Sequence, residues 1–217
     1  VIHSLIHSIS EIVSRNGIIF FRGDEERRSL EAWLAGNVES TVTVPDTDSV
    51  EVDKDRIREI VASCGRCTGA GEKKVNYGSG SNGVMILLHL PEKITTHEMK
   101  AYRSQSNEVL RKMLTAIQLD IDHCYLTNLI KCEAGATHQP SRMFAECADI
   151  LRAEIAEISP GIIIVMGSFG PVAKISKEFP DIKWFNTEHP VTLIKNPDMK
   201  RGAWETLKLV RSWLDGK

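Results

Sequence analysis

No stretch of the 217 residues reaches the roughly 18 uninterrupted apolar positions that a membrane-spanning helix needs, so no bilayer crossing is expected. Neither charge dominates. Lys and Arg number 27 against 29 Asp and Glu, a formal net charge of -2, which excludes a protein that coats nucleic acid by bulk charge alone. Lys195, Lys200, Arg201, Lys208 and Arg211 gather in the last third. On charge alone they read as the solvated side of a helix. The first residues interleave His3, His7 and Glu11 with apolar positions, which is not the pattern of a signal peptide, and the expected location is cytoplasmic. His3 and His7 lie one helical turn apart without a third ligand. No internal repeat or low-complexity segment is present. The glycine-rich Gly78-Ser-Gly-Ser-Asn-Gly83 lacks the GK[ST] of a phosphate loop and precedes a strand pattern, so it reads as a turn.

What is there is ordinary globular composition, 42% hydrophobic and 26% charged, and enough chain to bury a full core. Ile2, Leu5, Ile6, Ile9, Ile12 and Val13 fall at helical spacing, and Asn16-Gly17 stops the run. Asp24 is read as the cap of a second helix with Leu30, Trp33 and Leu34 on one face. Residues 37–53 are polar and read as a linker. The expectation for 1–53 is therefore a helical extension whose apolar face packs on the core or on a protein partner.

From residue 54 the pattern alternates. Helices are expected over 53–62, 96–117, 141–158, 168–177 and 198–214, and strands over 84–90, 123–130, 161–166 and 182–187. This predicts, over 54–217, a three-layer α/β/α sandwich around a mostly parallel four-stranded sheet. In such sheets function collects in loops at the carboxyl ends of the strands. Those loops start at His89, Asn128, Gly167 and Glu188.

Four of the five cysteines have a pattern. Cys64-Gly-Arg-Cys67 closes one helix, Cys132 follows a strand, and Cys147 lies on the next helix. Thiolates are soft ligands, and four of them suit either zinc or an iron–sulfur cluster. Structural zinc sites usually use two tight pairs, and here the second pair is spread over many residues. A redox CxxC sits at a helix start, whereas this one sits at a helix end. Cys124, inside a strand, reads as a buried core thiol.

Several ordered features together resemble the family-4 uracil-DNA glycosylases, the iron–sulfur branch of that superfamily. They are the helix ending in CxxC, the segment Leu126-Thr-Asn-Leu-Ile-Lys-Cys132, Glu146-Cys147 on a helix, the strand 161–166 leading into Gly167, and His189-Pro-Val-Thr-Leu-Ile-Lys-Asn-Pro197. The resemblance implies extrusion of a damaged base from DNA and hydrolysis of its glycosidic bond, with a 4Fe–4S cluster on Cys64, Cys67, Cys132 and Cys147. It places Asn128 at the uracil edge, His189 as donor to uracil O2, and Tyr102, more loosely, as the stacking aromatic.

The first catalytic motif departs from the family. Where Gly-Glu-Ala-Pro-Gly is expected stands Leu88-His89-Leu90-Pro91-Glu92, which keeps the proline and loses both glycines and the water-positioning carboxylate. The Pro-Phe-Val-Gly-x-Ala-Gly stretch is replaced by Ala101-Tyr-Arg-Ser-Gln-Ser-Asn107. Three outcomes fit: His89 takes over water activation, Glu92 or Glu98 supplies a carboxylate, or hydrolysis is lost. The last would leave a non-catalytic iron–sulfur member that binds DNA or protein. A redox or zinc-stabilised α/β protein unrelated to repair is the third class.

Overall fold

The computed structural model describes residues 10–14, 17–21, 54–67, 71–89, 96–133 and 140–216. In chain order these form strands β1 (Ser10–Ser14) and β2 (Gly17–Phe21), helix α1 (Lys54–Ser63), β3 (Val84–Leu88), α2 (Thr96–Ala116), β4 (Tyr125–Asn128), α3 (Pro140–Ile158) and β5 (Ile162–Met166). A 3-10 turn (Gly170–Val172) then leads into α4 (Ala173–Glu178), β6 (Lys183–Thr187), α5 (Pro190–Lys195), a second 3-10 turn (Pro197–Met199) and α6 (Lys200–Asp215). No helix among the described residues is long and apolar enough to cross a membrane.

The sheet is four-stranded and parallel throughout, in the order β4-β3-β5-β6. Its strands are continuous apolar runs because both faces are covered. Alternate residues go to opposite sides. Val84, Ile86, Ile162, Ile164 and Met166 pack with Leu110, Met113 and Leu114 of α2 and with Trp204, Leu207 and Val210 of α6. Met85, Leu87, Tyr125, Ile163 and Val165 pack with Leu151, Ile155 and Ile158 of α3 and with Val172 and Ile175. The expected three-layer sandwich is what the chain adopts. The turn reading of 78–83 also holds: Gly78, Gly80 and Gly83 have φ of +80°, +75° and +70°.

The outer edge of β4 is closed by the segment before β3. Tyr77 bridges Leu126 and Lys73 bridges Cys132, both antiparallel, with Lys74 N donating to Lys131 O at 2.8 Å. At the opposite edge a surface groove of about 560 Å³ is lined by Lys183, Phe185, Leu209, Ser212, Trp213 and Gly216, and it holds none of the residues expected to carry chemistry.

The N-terminal expectation needs correction. Ser10–Ser14 and Gly17–Phe21 are antiparallel strands in register Ser10↔Phe21 to Ser14↔Gly17, so the helix expected over 2–15 does not extend through 10–14. Ile12, Val13, Ile18 and Ile19 are β-branched and favour extended backbone, and a short apolar run fits either period. The second helix near 24–34 and the linker 37–53 lie outside the described residues, as do His3 and His7.

Candidate active site and cysteine centre

The chain runs from β3 out to β4, then returns across β3 to β5, so the strand order reverses between β3 and β5. The crevice beyond their carboxyl ends is where ligands bind in open parallel sheets. His89 follows β3 there and is 6% exposed, while His189 follows β6 and is 3% exposed. Asn128 ends β4 opposite Leu88, and Leu129 N donates to Leu88 O at 2.8 Å, which sets the backbone of Asn128 beside the strand end that leads to His89. Leu88 itself packs against the α2-side core.

Backbone groups fix both imidazoles. His189 caps α5: its Nδ1 accepts from Val191 N–H at 3.2 Å, with Pro190 in the first helical position. A nitrogen that accepts from a backbone amide carries no proton, so the hydrogen of neutral His189 is on Nε2. Burial, then the proximity of His89 and Lys74, push its pKa down to about 4. His89 has the opposite arrangement. Its Nδ1 lies 3.1 Å from Ser168 O, and since a carbonyl only accepts, Nδ1 is the donor and Nε2 of the uncharged ring is a lone pair.

The loop that holds His89 is tightly built. His89 N donates to Met166 O at 2.9 Å and Gly167 N to Thr187 O at 2.8 Å. Asn186 Nδ2 donates to Val165 O at 3.1 Å and to Gly167 O at 2.7 Å. Gly167 has φ +126°, and a Cβ there would lie 2.1 Å from His89 O. Only glycine lets the β5 loop approach so closely.

The remaining expected site residues are placed unevenly. Tyr102 lies on α2, partly exposed, and the whole 101–107 stretch is helical. Pro91 and Glu92 fall outside the described residues. Glu98 is engaged by Lys195 Nζ at 2.7 Å, an ion pair that ties the start of α2 to α5. Lys208 with Glu205 and Arg211 with Asp215 are also paired along α6, as a solvated helix face would be. Lys74, which no sequence signal marked, lies within electrostatic reach of His189, Glu133 and Cys132, and burial lowers its pKa.

All five cysteines are free thiols. Cys124 is the core thiol expected: fully buried, bonded by Asn82 Nδ2 at 3.2 Å, its pKa pushed up by burial to about 12. The other four are neighbours. Burial raises the pKa of Cys67, with the charges of Cys132, Glu146 and Cys64 adding to it and Lys73 opposing. Burial likewise raises Cys147, the Lys131 backbone N–H opposes it, and Cys132 and Cys67 add to it. Lys73 Nζ donates to Cys64 O and, at 3.5 Å, to Cys132 Sγ. Lys131 N donates to Cys147 Sγ at 3.5 Å, and Arg66 reaches Glu146 O at 2.7 Å. Among the described residues, no group of three His, Cys, Asp or Glu is close enough to hold a single metal ion.

Comparison with known proteins agrees with this geometry. A family model for the uracil DNA glycosylase superfamily matches residues 75–208. The chain is 22% identical over 171 residues to the type-4 uracil-DNA glycosylase of Archaeoglobus fulgidus, an alignment that covers 67% of this chain and 85% of that protein. Parallel sheet, polar crevice at its carboxyl end and matched sequence lead to one assignment: the chain belongs to the uracil DNA glycosylase superfamily.

Proposed function

We propose that this protein repairs DNA by excising uracil, or a closely related damaged base, through hydrolysis of the N-glycosidic bond. The observation that carries the reading is the pair of buried histidines held by backbone groups in complementary tautomers, with His89 following the strand that pairs with Asn128. An extruded base forfeits stacking and pairing worth a few kcal/mol, least at a mismatch, and a fitted pocket returns it. Asn128 offers a donor and an acceptor together, the pair needed to read a uracil edge. His189 presents Nε2–H to O2 of the departing base. Because its pKa is low, it donates a hydrogen bond without carrying charge at neutral pH. One such preorganised donor is worth about 3–4 kcal/mol as negative charge develops on the base. His89 presents the Nε2 lone pair. It accepts a proton from the attacking water, in place of the carboxylate missing from the first motif.

The four neighbouring cysteines suit a 4Fe–4S cluster. They are free, and Lys73 and the Lys131 amide offset thiolate charge. Each iron of a cluster takes one thiolate, so its ligands stand wider than the tight group a single zinc requires. When bound, the cluster fastens the loop after α1, the chain after β4 and α3 to one another. DNA is the partner this chemistry requires.

The test is excision from a uracil-containing oligonucleotide by anaerobically purified protein, with iron, sulfide and zinc measured on the same sample. Cleavage at the resulting abasic site, abolished by His189→Ala, is the expected result. Absence of cleavage with the metal centre intact overturns the enzymatic reading and favours the non-catalytic DNA-binding one.

A further inference from the structure

Next to Asn128 in the chain lies a network of buried polar side chains that holds neither histidine. Lys131 and Glu154 are each 1% exposed, and Thr127 and Tyr125 are fully buried. Lys131 Nζ donates to Glu154 Oε2 and, at 2.7 Å, to Thr127 Oγ1. Thr127 Oγ1 and Tyr125 Oη donate to Glu154 Oε1 at 2.8 Å and 3.2 Å. A buried ion pair of this kind rarely raises net stability over an apolar pair of the same volume. Its location gives it another use. Thr127 immediately precedes Asn128, and Lys131 immediately precedes Cys132. Cys147, Leu151 and Glu154 fall on one stripe of α3 at spacings of four and three. The Lys131 backbone N–H reaches Cys147 Sγ as well. One side chain from the segment after β4 and one from α3 thus join the strand that ends in Asn128 to Cys132 and Cys147.

We propose that Lys131 and Glu154 are positioning residues that fix Asn128 relative to the cysteine centre, so that the two behave as one rigid unit. This rests on the reading of Asn128 as the base-contacting residue. The ion pair holds residues 127–132 through Thr127 at one end and Cys132 at the other. The amide of Asn128 is thereby set by a contact on the far side of the strand from the base.

The test uses the holoprotein and the double variant Lys131→Met/Glu154→Gln, which removes both charges yet leaves an acceptor for Thr127 and Tyr125. Lys131→Met alone strands a buried carboxylate and lowers Tm by about 10 °C. The double variant recovers most of that. Two readouts separate positioning from mere stability. Amides of 128–132 exchange at least ~10-fold faster in the double variant, while those of 84–88 and 162–166 are unchanged. Single-turnover excision falls at least ~10-fold with DNA affinity held within about twofold. Thr127→Val keeps the ion pair and cuts the hydroxyl link next to Asn128 while leaving that of Tyr125, and shows the same pattern at smaller amplitude if the double variant does not fold. Wild-type exchange at 128–132, or wild-type excision, in a folded variant overturns the proposal. If the unmodified protein excises nothing, the functional reading fails separately, and hydrogen exchange alone decides whether the pair positions this segment.

Discussion

Replacing Gly167 by alanine is the sharpest probe of how the crevice is held. The new methyl would lie 2.1 Å from His89 O and 3.2 Å from its Cβ, and the oxygen belongs to backbone, which has no flexible end to swing aside. The φ of +126° is also one that alanine rarely adopts. Backbone strain of this type costs about 1–3 kcal/mol, and forcing packed chain apart adds about 1–3 kcal/mol. The sum, ~2–6 kcal/mol, is a large part of the roughly 5–15 kcal/mol that stabilises a domain. Relief requires the 167–168 loop to move, and the bonds that would move with it are those from His89 N to Met166 O, from His89 Nδ1 to Ser168 O and from Asn186 to Gly167 O. Urea unfolding is the assay: the midpoint should drop with the slope unchanged, and excision by the folded fraction should fall at least ~10-fold as His89 is displaced. A Gly167→Ala protein within about 0.5 kcal/mol of wild type would refute the claim that this contact holds His89.

His189 makes a pH prediction. Its folded pKa of about 4 lies below the ordinary 6.5, so the unfolded chain binds the proton first and stability falls as pH drops from 6.5 towards 4, by about 3 kcal/mol from this group. His189→Gln should flatten the unfolding free energy between pH 7 and 4 by that amount, and parallel curves would contradict the burial argument. Asn128→Ala should lower excision at least ~10-fold with the visible absorbance unchanged; full activity would remove Asn128 from the site. Cys132→Ala should lose the metal chromophore and several degrees of Tm together, and a variant that keeps its iron would show that Cys132 is not a ligand.

The sheet and its helices were legible because each buried strand is a compact apolar run and each covering helix repeats its apolar residues at helical spacing. The crevice was legible through chain order alone, since loops after parallel strands gather at one end. The hairpin at 10–21 was misread because β-branched residues at near-helical intervals satisfy both periods. Helix α5 was not foreseen, although His189-Pro190 carries a usual helix-start signature. The partners of Lys131, Asn186 and Lys74 had no local signal. Glu154 lies 23 residues from Lys131, and pairings across such distances follow from packing rather than from pattern. The tautomers of His89 and His189 were beyond reach for the same reason, being set by the backbone atoms of Ser168 and Val191.

The strip that closes the β4 edge has a consequence for how the chain is made. Lys73 and its bridge partner Cys132 are 59 residues apart, and the strip leaves the ribosome first. At about 5–20 residues per second its partner follows some 3–12 s later. During that interval residues 71–77 lack the backbone partners near 126–133 that they bond in the fold, and Val75 and Tyr77 stay exposed even in the finished fold. The adjacent ammonium groups of Lys73 and Lys74 are the kind of charge that keeps such an edge from joining the wrong strand. In the finished protein one of them reaches a cysteine and the other lies within electrostatic reach of His189, so the two charges that would guard a bare edge end beside the candidate site.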